Sequence, residues 1–546
     1  MKRIILTLLT IALLLSLAAC GTDAPQETTP SFTDSPSEPA AQPTQTPAAT
    51  PEPTPEPEAL FTQMDVEYTL SDKLPAALAE HIKEQRKSVF VEMTDAGKAL
   101  FNNWLDEGPT PEMDEHVAEI VRGLIKEGAP ETTPEFVSKE DARFEIEFMF
   151  DFMKCAYGGY GVFGGDAVFL PIRDEMLAKL DGLTQTDGRV DIQTYNDLLA
   201  EPFAPVIVDQ HFRVGDKHPG SNALLFYAYS EELIFHKDGN SFITTLDGKE
   251  YSLVSVAGEL PESYIKATIL EDGSFAYVLG ERMMAEAKSK MDEANGEKQI
   301  DVLLQNEDGD KHVSVTLKTC DFAPNESGSS LYRSYEKDGV MVLENRAFEP
   351  FDSPDLEAMI SPSEMQKFKD QNTVVIDAMS NHGGSTYPLL TWLGRFLGYT
   401  VEPFSVAADM QTRTVGAFLE YRVSGTAPVW DKHIQPPKQK KNDTVTFLLM
   451  GYNGSAGEMW TSILREADNV ILVGLNSEGN LQFGRTRPCY LPHSKLLFQF
   501  GTSLNFMNQD FSQFECVGFE PDLWVPPLEA LERVIKFIER YGINDQ

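Results

Sequence analysis

Apolar residues recur near helical spacing in "ALAEHIKEQRKSVFVEM", "DEHVAEIVRGLIKEG" and "DARFEIEFMFDFMKCAYGGY", and again in "AVFLPIRDEMLAKLDGL" and "DIQTYNDLLAEPF". The pattern predicts a helical subdomain over residues 65–205, broken by a loop at the glycines of "YGGYGVFGG". The aromatic and Met stripe "FEIEFMFDFM" has the spacing of core packing. After Pro205 the period shortens. "VIVDQHFRVG" predicts a strand and a turn. "SFITTLDGKEYSLVSVAG", "FAYVLG" and "IDVLLQNEDGDKHVSVTL" read as short strands with Gly and Asp turns, a small β-rich module over residues 206–330. From Tyr335 strands and helices alternate: "DGVMVLENRAF", "SPSEMQKFKD", "TVVIDAM", "YPLLTWLGRFLG", "TVTFLLM", "EMWTSILREA", "VILVG". That order predicts a mostly parallel α/β sheet over residues 331–546, with its functional loops at strand ends. A helix, "LEALERVIKFIERYG", closes the pattern, and no internal repeat is present.

The first residues do not follow this logic. Lys2 and Arg3 precede the apolar run Ile4–Leu15, and "LAAC" (Leu17–Cys20) ends it. This is the layout of a signal peptide over residues 1–20, too short and wrongly flanked for a spanning helix. Its ending resembles the lipobox of bacterial lipoprotein signals. That resemblance implies cleavage before Cys20, a lipid on Cys20, and a place on the outer face of the cell membrane. A plain secretory signal cleaved nearby is the alternative. Residues 21–64 are dominated by Pro, Thr, Ser, Ala and Glu, which bury no apolar surface and predict an extended linker. The net charge of −40 argues against nucleic acid as a partner and against broad contact with anionic lipid heads, leaving the anchoring to the lipid. Beyond Cys20 the cysteines are Cys155, Cys320, Cys489 and Cys516, with no C-x-x-C pair. Disulfides and free buried thiols both fit. No histidine–carboxylate motif of the His-Glu-x-x-His kind occurs, so no metal site is expected.

Five local patterns carry the chemistry. "VDQHFRV" spans Val208–Val214. "VVIDAMSNHGGST" is a strand ending in Asn381-His382-Gly383-Gly384. "MGYNGSAGEMW" is a strand, a small-residue turn and a helix around Ser455. "VILVGLNSEGN" runs a strand into a glycine-containing loop, and "VGFEPDLWV" spans Val517–Val525. In this order they resemble the tail-specific, or C-terminal processing, serine protease family, which includes the tricorn-protease core. The resemblance covers about Asp141 to Val525. It implies a crotonase-like (ClpP-like) α/β protease domain with no cofactor, and the β-rich module stands where such proteins carry a PDZ-like insert.

By that resemblance Ser455 is the nucleophile. The residues agree: Gly454 and Ala456 leave room for a carbonyl, and the helix N-terminus behind the turn offers free N–H groups. The N–H of Ala456 and one from Gly383 or Gly384 are the expected oxyanion hole. The alternative, Ser455 as an N-cap with Glu458 as its capping-box partner, accounts for one pattern and not for the other four. The better-known branch of the family pairs its serine with a lysine, and here the matching position is Asn480, which accepts no proton at neutral pH. The tricorn-like branch uses an upstream histidine, which matches His211 in Asp209-Gln210-His211, and a late glutamate, which matches Glu520 in "GFEPD". His382 is a second candidate base. His218, in "GDKHPG", reads as a turn residue and His493, in "YLPHSK", as a strand-end surface residue. The expected reaction is acyl transfer on polypeptides, bound by a free C-terminus or as an added strand. An inactive peptide-binding or scaffolding lipoprotein is the competing reading, favoured by Asn480. A solute-binding lipoprotein explains the lipobox and linker but neither the Ser455 turn nor "GFEPD".

Overall fold

The runs "TVVID", "VTFLLM" and "VILVG" have apolar or small residues on both faces, which suits strands covered on both sides. In the computed structural model they are Thr373–Asp377, Val445–Met450 and Val470–Gly474, neighbours in a six-stranded sheet. The structure describes residues 59–545 apart from 107, 184–187, 221–224, 321–329, 351, 402–405, 424–427, 435–442 and 507–514. The sheet order is Tyr332–Lys337, Val340–Asn345, Thr373–Asp377, Val445–Met450, Val470–Gly474, Leu523–Trp524. The first two strands form a hairpin, and all later neighbours are parallel. The hairpin turns on Asp338 and Gly339, both at positive φ (49° and 76°), the conformation a two-residue Asp-Gly turn supplies. One face packs Val375, Phe447 and Ile471 against Val534 and Phe537 of the closing helix Ala530–Arg540. The other packs Ile376, Leu448 and Leu472 against Leu389 and Trp392 of Thr386–Leu397 and Trp460 of Met459–Leu464.

The helical part supplies a wall for the site. Ser138 caps Lys139–Ala156 by accepting from the Asp141 N–H at 3.0 Å. Its Phe148 stacks on Phe152, and Phe152 in turn meets Phe418, Phe498 and Phe500, so the aromatic stripe is core. The four-stranded sheet Trp430–Ile434, Val406–Met410, Gly501–Phe506, Phe483–Thr486 and the three-stranded sheet Cys489–Tyr490, Leu497–Gln499, Arg213–Val214 link this part to the core.

The β-rich part is a seven-stranded antiparallel sheet that closes on itself. Its order is Gly309–Thr319, Glu297–Asn306, Lys249–Val256, Ser241–Leu246, Leu225–Asp238, Phe275–Met284, Ile265–Ile269, and Thr319 pairs back onto Ala228. Alternate residues, among them Leu253, Val302, Leu304 and Val315, fill its interior.

Three expectations need correction or bounding. The stretch read as linker to residue 64 already contains the strand Phe61–Asp65. It pairs with Ser88–Met93, and the ring of Phe61 is buried with Met93 and Phe101, so ladder bonds and apolar burial order the chain from there. "VIVDQHFRVG" holds only the two-residue strand Arg213–Val214, because the polar segment Asp209–His211 makes a turn. The signal peptide, Cys20 and most of the linker lie outside the described residues. Cys155, Cys320, Cys489 and Cys516 are free thiols. No described helix is long and apolar enough to cross a membrane.

Candidate active site

Three of the loops leaving the carboxyl ends of Thr373–Asp377, Val445–Met450 and Val470–Gly474 meet at Ser455, the place where open parallel sheets bind ligands. Ser455 opens a short 3-10 turn, Ser455–Glu458, ahead of the helix Met459–Leu464. Its φ of +52° lies in the left-handed region, which costs a non-glycine residue about 1–3 kcal/mol and persists only where neighbours fix it. The cap residue is Gly454, with no side-chain cap bond, so the N-cap reading of Ser455 does not describe the turn. Glu458 does not reach back to the turn either. It is fully buried and accepts from Ser477 Oγ, from Gly479 N–H at 2.9 Å and from Asn480 N–H at 2.8 Å. Burial pushes its carboxyl up to about 8.

The glycines are spaced by close approach. A Cβ on Gly457 would lie 2.0 Å from Asn381 O, and one on Gly383 would lie 2.8 Å from the Ser455 Cβ. Gly383 donates its own N–H to Asn381 Oδ1 at 2.9 Å, so of the expected oxyanion donors it is the one already spent. Ala456 is at the second residue of the turn, where a helical N–H has no acceptor within the helix. Gly384, which follows Gly383 in the chain, is at φ +118° and exposed.

His211 reaches this point from 244 residues upstream, with Nε2 3.3 Å from Ser455 Oγ. Asp209 Oδ1 accepts the His211 N–H at 2.7 Å, and Phe212 is wedged between Tyr157, Phe203 and Phe498, so the turn is held from both sides. Burial lowers the imidazole pKa to about 4, against a smaller opposite pull from Glu478. The ring is therefore neutral at neutral pH. Nδ1 is buried without a hydrogen-bond partner among the described residues and lies 3.8 Å from Asp209 Oδ1.

The acidic group beside His211 is not Glu520. Glu520 is half-exposed and pairs with Lys266 at 3.7 Å, which draws it toward the β-rich part. Glu515 stands there instead, accepting from Gln210 N–H at 3.0 Å and Gln482 N–H at 3.3 Å. Asp209, His211 and Glu515 bring ligand-type atoms within 4.8 Å of one another, a grouping with the donors to hold a cation or a shared proton. Burial raises both carboxyls, Asp209 to about 7, and the Asp209 charge raises Glu515 further. The flanking Cys516 and Val517 were the sequence signal for a buried Glu515; the "GFEPD" pattern pointed past it. His382 is exposed on the Gly383 loop and faces Glu478, which raises its pKa. His493 lies beside Asp141 at 3.5 Å, and Lys495 pairs with Glu127 in the helical part.

Residues 348–525 match the model of peptidase family S41. The chain is a serine-type peptidase on that ground. Within that class the matched region supports assignment to the tail-specific protease family. No curated protein matches the sequence. Solved structures similar to it include mature CPAF complexed with lactacystin, at 13% identity over 75% of this chain and 99% of that one, with a TM-score of 0.36. The photosystem II D1 C-terminal processing protease is 12% identical over 72% and 96%, with a TM-score of 0.30. A lipoprotein from Streptococcus agalactiae is 10% identical over 73% and 96%, also with a TM-score of 0.30. All three likenesses are faint by both measures.

Proposed function

We propose that the protein cleaves polypeptides by acyl transfer from Ser455, with His211 as general base, while held by a lipid on Cys20 at the outer face of a bacterial cell membrane. The observation that carries the mechanism is the 3.3 Å approach of His211 Nε2 to Ser455 Oγ. Oγ attacks the peptide carbonyl carbon as its proton passes to Nε2, and the oxyanion faces the N–H groups of Ala456 and Gly384. The C–N bond breaks as Nε2 returns the proton to the leaving amine, giving an acyl ester on Ser455. Water attacks that ester by the same route, releasing the new C-terminus and restoring the serine. A base must keep its lone pair free before the attack, which the low pKa of His211 provides. The imidazolium formed then lies against Asp209 and Glu515, whose ionised pair member offsets its charge. We read the parallel sheet as a crotonase-like core and the closed antiparallel sheet as a PDZ-like module that presents the polypeptide.

Fluorophosphonate labelling tests this. Wild type should label, S455A should not, and H211A should label about 10²–10⁴-fold more slowly, the usual worth of a general base. Equal labelling of S455A would end the proposal. A second reading rests on Asn480 at the position of the family lysine: a peptide-binding protein without catalysis. A folded wild type that never labels would favour it. Globomycin-sensitive processing and a C20A variant that leaves the membrane fraction would support the anchor, and unchanged fractionation would remove it.

A further inference from the structure

We infer that Asn480, backed by Glu478, is a clamp on the nucleophile's backbone: at the chain position where the family carries its base, this chain holds an acceptor that fixes Ser455 in its left-handed conformation. The inference rests on the reading of Ser455 as nucleophile. Asn480 Oδ1 accepts the Ser455 N–H. The amide cannot be turned round, because its Nδ2 donates to Glu478 Oε2 at 3.0 Å, and a flip would set NH₂ against N–H and oxygen against oxygen. Two further bonds join the same loops: Glu478 N–H to Asn453 O at 3.0 Å and Asn480 N–H to Glu458 Oε2 at 2.8 Å.

The arrangement has three chemical consequences. The φ of +52° at Ser455 is held by a side chain outside its own turn, which aims Oγ at His211. The Ser455 N–H is spent, as is that of Gly383, which leaves Ala456 and Gly384 to meet the oxyanion. Finally, no side chain fits at Gly454, where a Cβ would lie 2.0 Å from Glu478 Oε2 and 2.7 Å from Asn480 Oδ1. A lysine at 480 has no acceptor to offer, so it would release the clamp rather than restore a base. Asn480 and Glu478 are positioning residues. They act through the backbone of Ser455.

The test uses the full-length protein and the rate constant of fluorophosphonate labelling against pH. N480A should label about tenfold more slowly, the scale of one lost hydrogen bond, with the pH midpoint unmoved because His211 remains the base. N480K should be equally slow. N480D keeps the acceptor but sets a second negative charge against Glu478, and E478Q alone loses the charge that orients the amide, so each is slowed. The double variant N480D/E478Q exchanges donor and acceptor and should recover to within about threefold of wild type. A general loss of stability would not produce that recovery, which therefore decides the matter even if N480A fails to fold. Labelling of N480K faster than wild type, a shifted midpoint in N480A, or no recovery in the double variant would overturn the clamp. Labelling of S455A, or a wild type that never labels, would overturn the nucleophile reading itself and the clamp with it.

Discussion

Asp209 and Glu515 are buried side by side behind His211, and burial raises Asp209 from 3.8 to about 7. The native state thus binds this proton more tightly than the unfolded chain does. Stability from this group is present below the unfolded pKa and is lost as pH rises through about 7. His211 runs the other way: its native pKa, near 4, is below the ordinary 6.5, so stability is lost as pH falls from about 6.5 toward 4. D209N keeps the acceptor for the His211 N–H and removes the charge. Its melting temperature should exceed that of wild type by a few degrees at pH 8, with the gap shrinking toward pH 5, while labelling slows. A gap that does not shrink at low pH would refute this account of Asp209. At this scale Ser455 and His211 were legible because each lies in a short local pattern. Glu515 was not, since which of two nearby glutamates turns inward depends on Lys266, a residue more than two hundred positions earlier and on another sheet.

Among the elements, the helix Ala76–Gln85 ends at Arg86, whose guanidinium is buried against Asp522 of the "PD" pair. Asp522 Oδ2 also accepts the Leu472 N–H at 2.6 Å, and Arg86 reaches the carbonyl of Val470. One buried ion pair therefore ties an N-terminal helix, an interior strand and the loop that carries Glu515. Removing one partner of such a pair leaves an uncompensated charge and costs about 3–5 kcal/mol. R86A should lower the unfolding free energy by that amount in a urea titration and slow labelling as well; a loss below about 1 kcal/mol would mean the pair is not what holds these elements. Strand–helix alternation was readable from hydrophobic period alone, because strands buried on both faces are apolar throughout. The strand Phe61–Asp65 was missed because "FTQMD" is polar at three of its five residues without alternation and sits against a proline-rich stretch. Its order comes from a partner some thirty residues on.

For the whole molecule, the closed β-rich sheet is fastened to the core and not hung from it. Arg533 of the closing helix is buried, bonds Ile269 O at 2.8 Å and pairs with both Glu231 and Glu529 at 2.5 Å. Thr268 Oγ1 donates to Trp524 O at 2.5 Å, and Gly273 packs on the backbone at Lys536, where a Cβ would lie 2.6 Å from the carbonyl carbon. R533A should make the connections into residues 225–319 cleavable by low concentrations of trypsin while the six-stranded core survives; unchanged digestion would show that the remaining contacts suffice. The β-rich character was legible from turn residues. The closure and docking were not, since both depend on pairings between distant strands.

Chain order gives the separation of Ser455 from His211 a temporal meaning. Synthesis delivers the imidazole first, the hydroxyl 244 residues later, and the strand Leu523–Trp524 that completes the sheet last of all. A ribosome must release almost the entire polypeptide before Ser455, His211 and the final strand can come together. A product truncated at residue 500, lacking Glu515 and the final strand, should accordingly remain unlabelled by fluorophosphonate despite carrying both reactive groups.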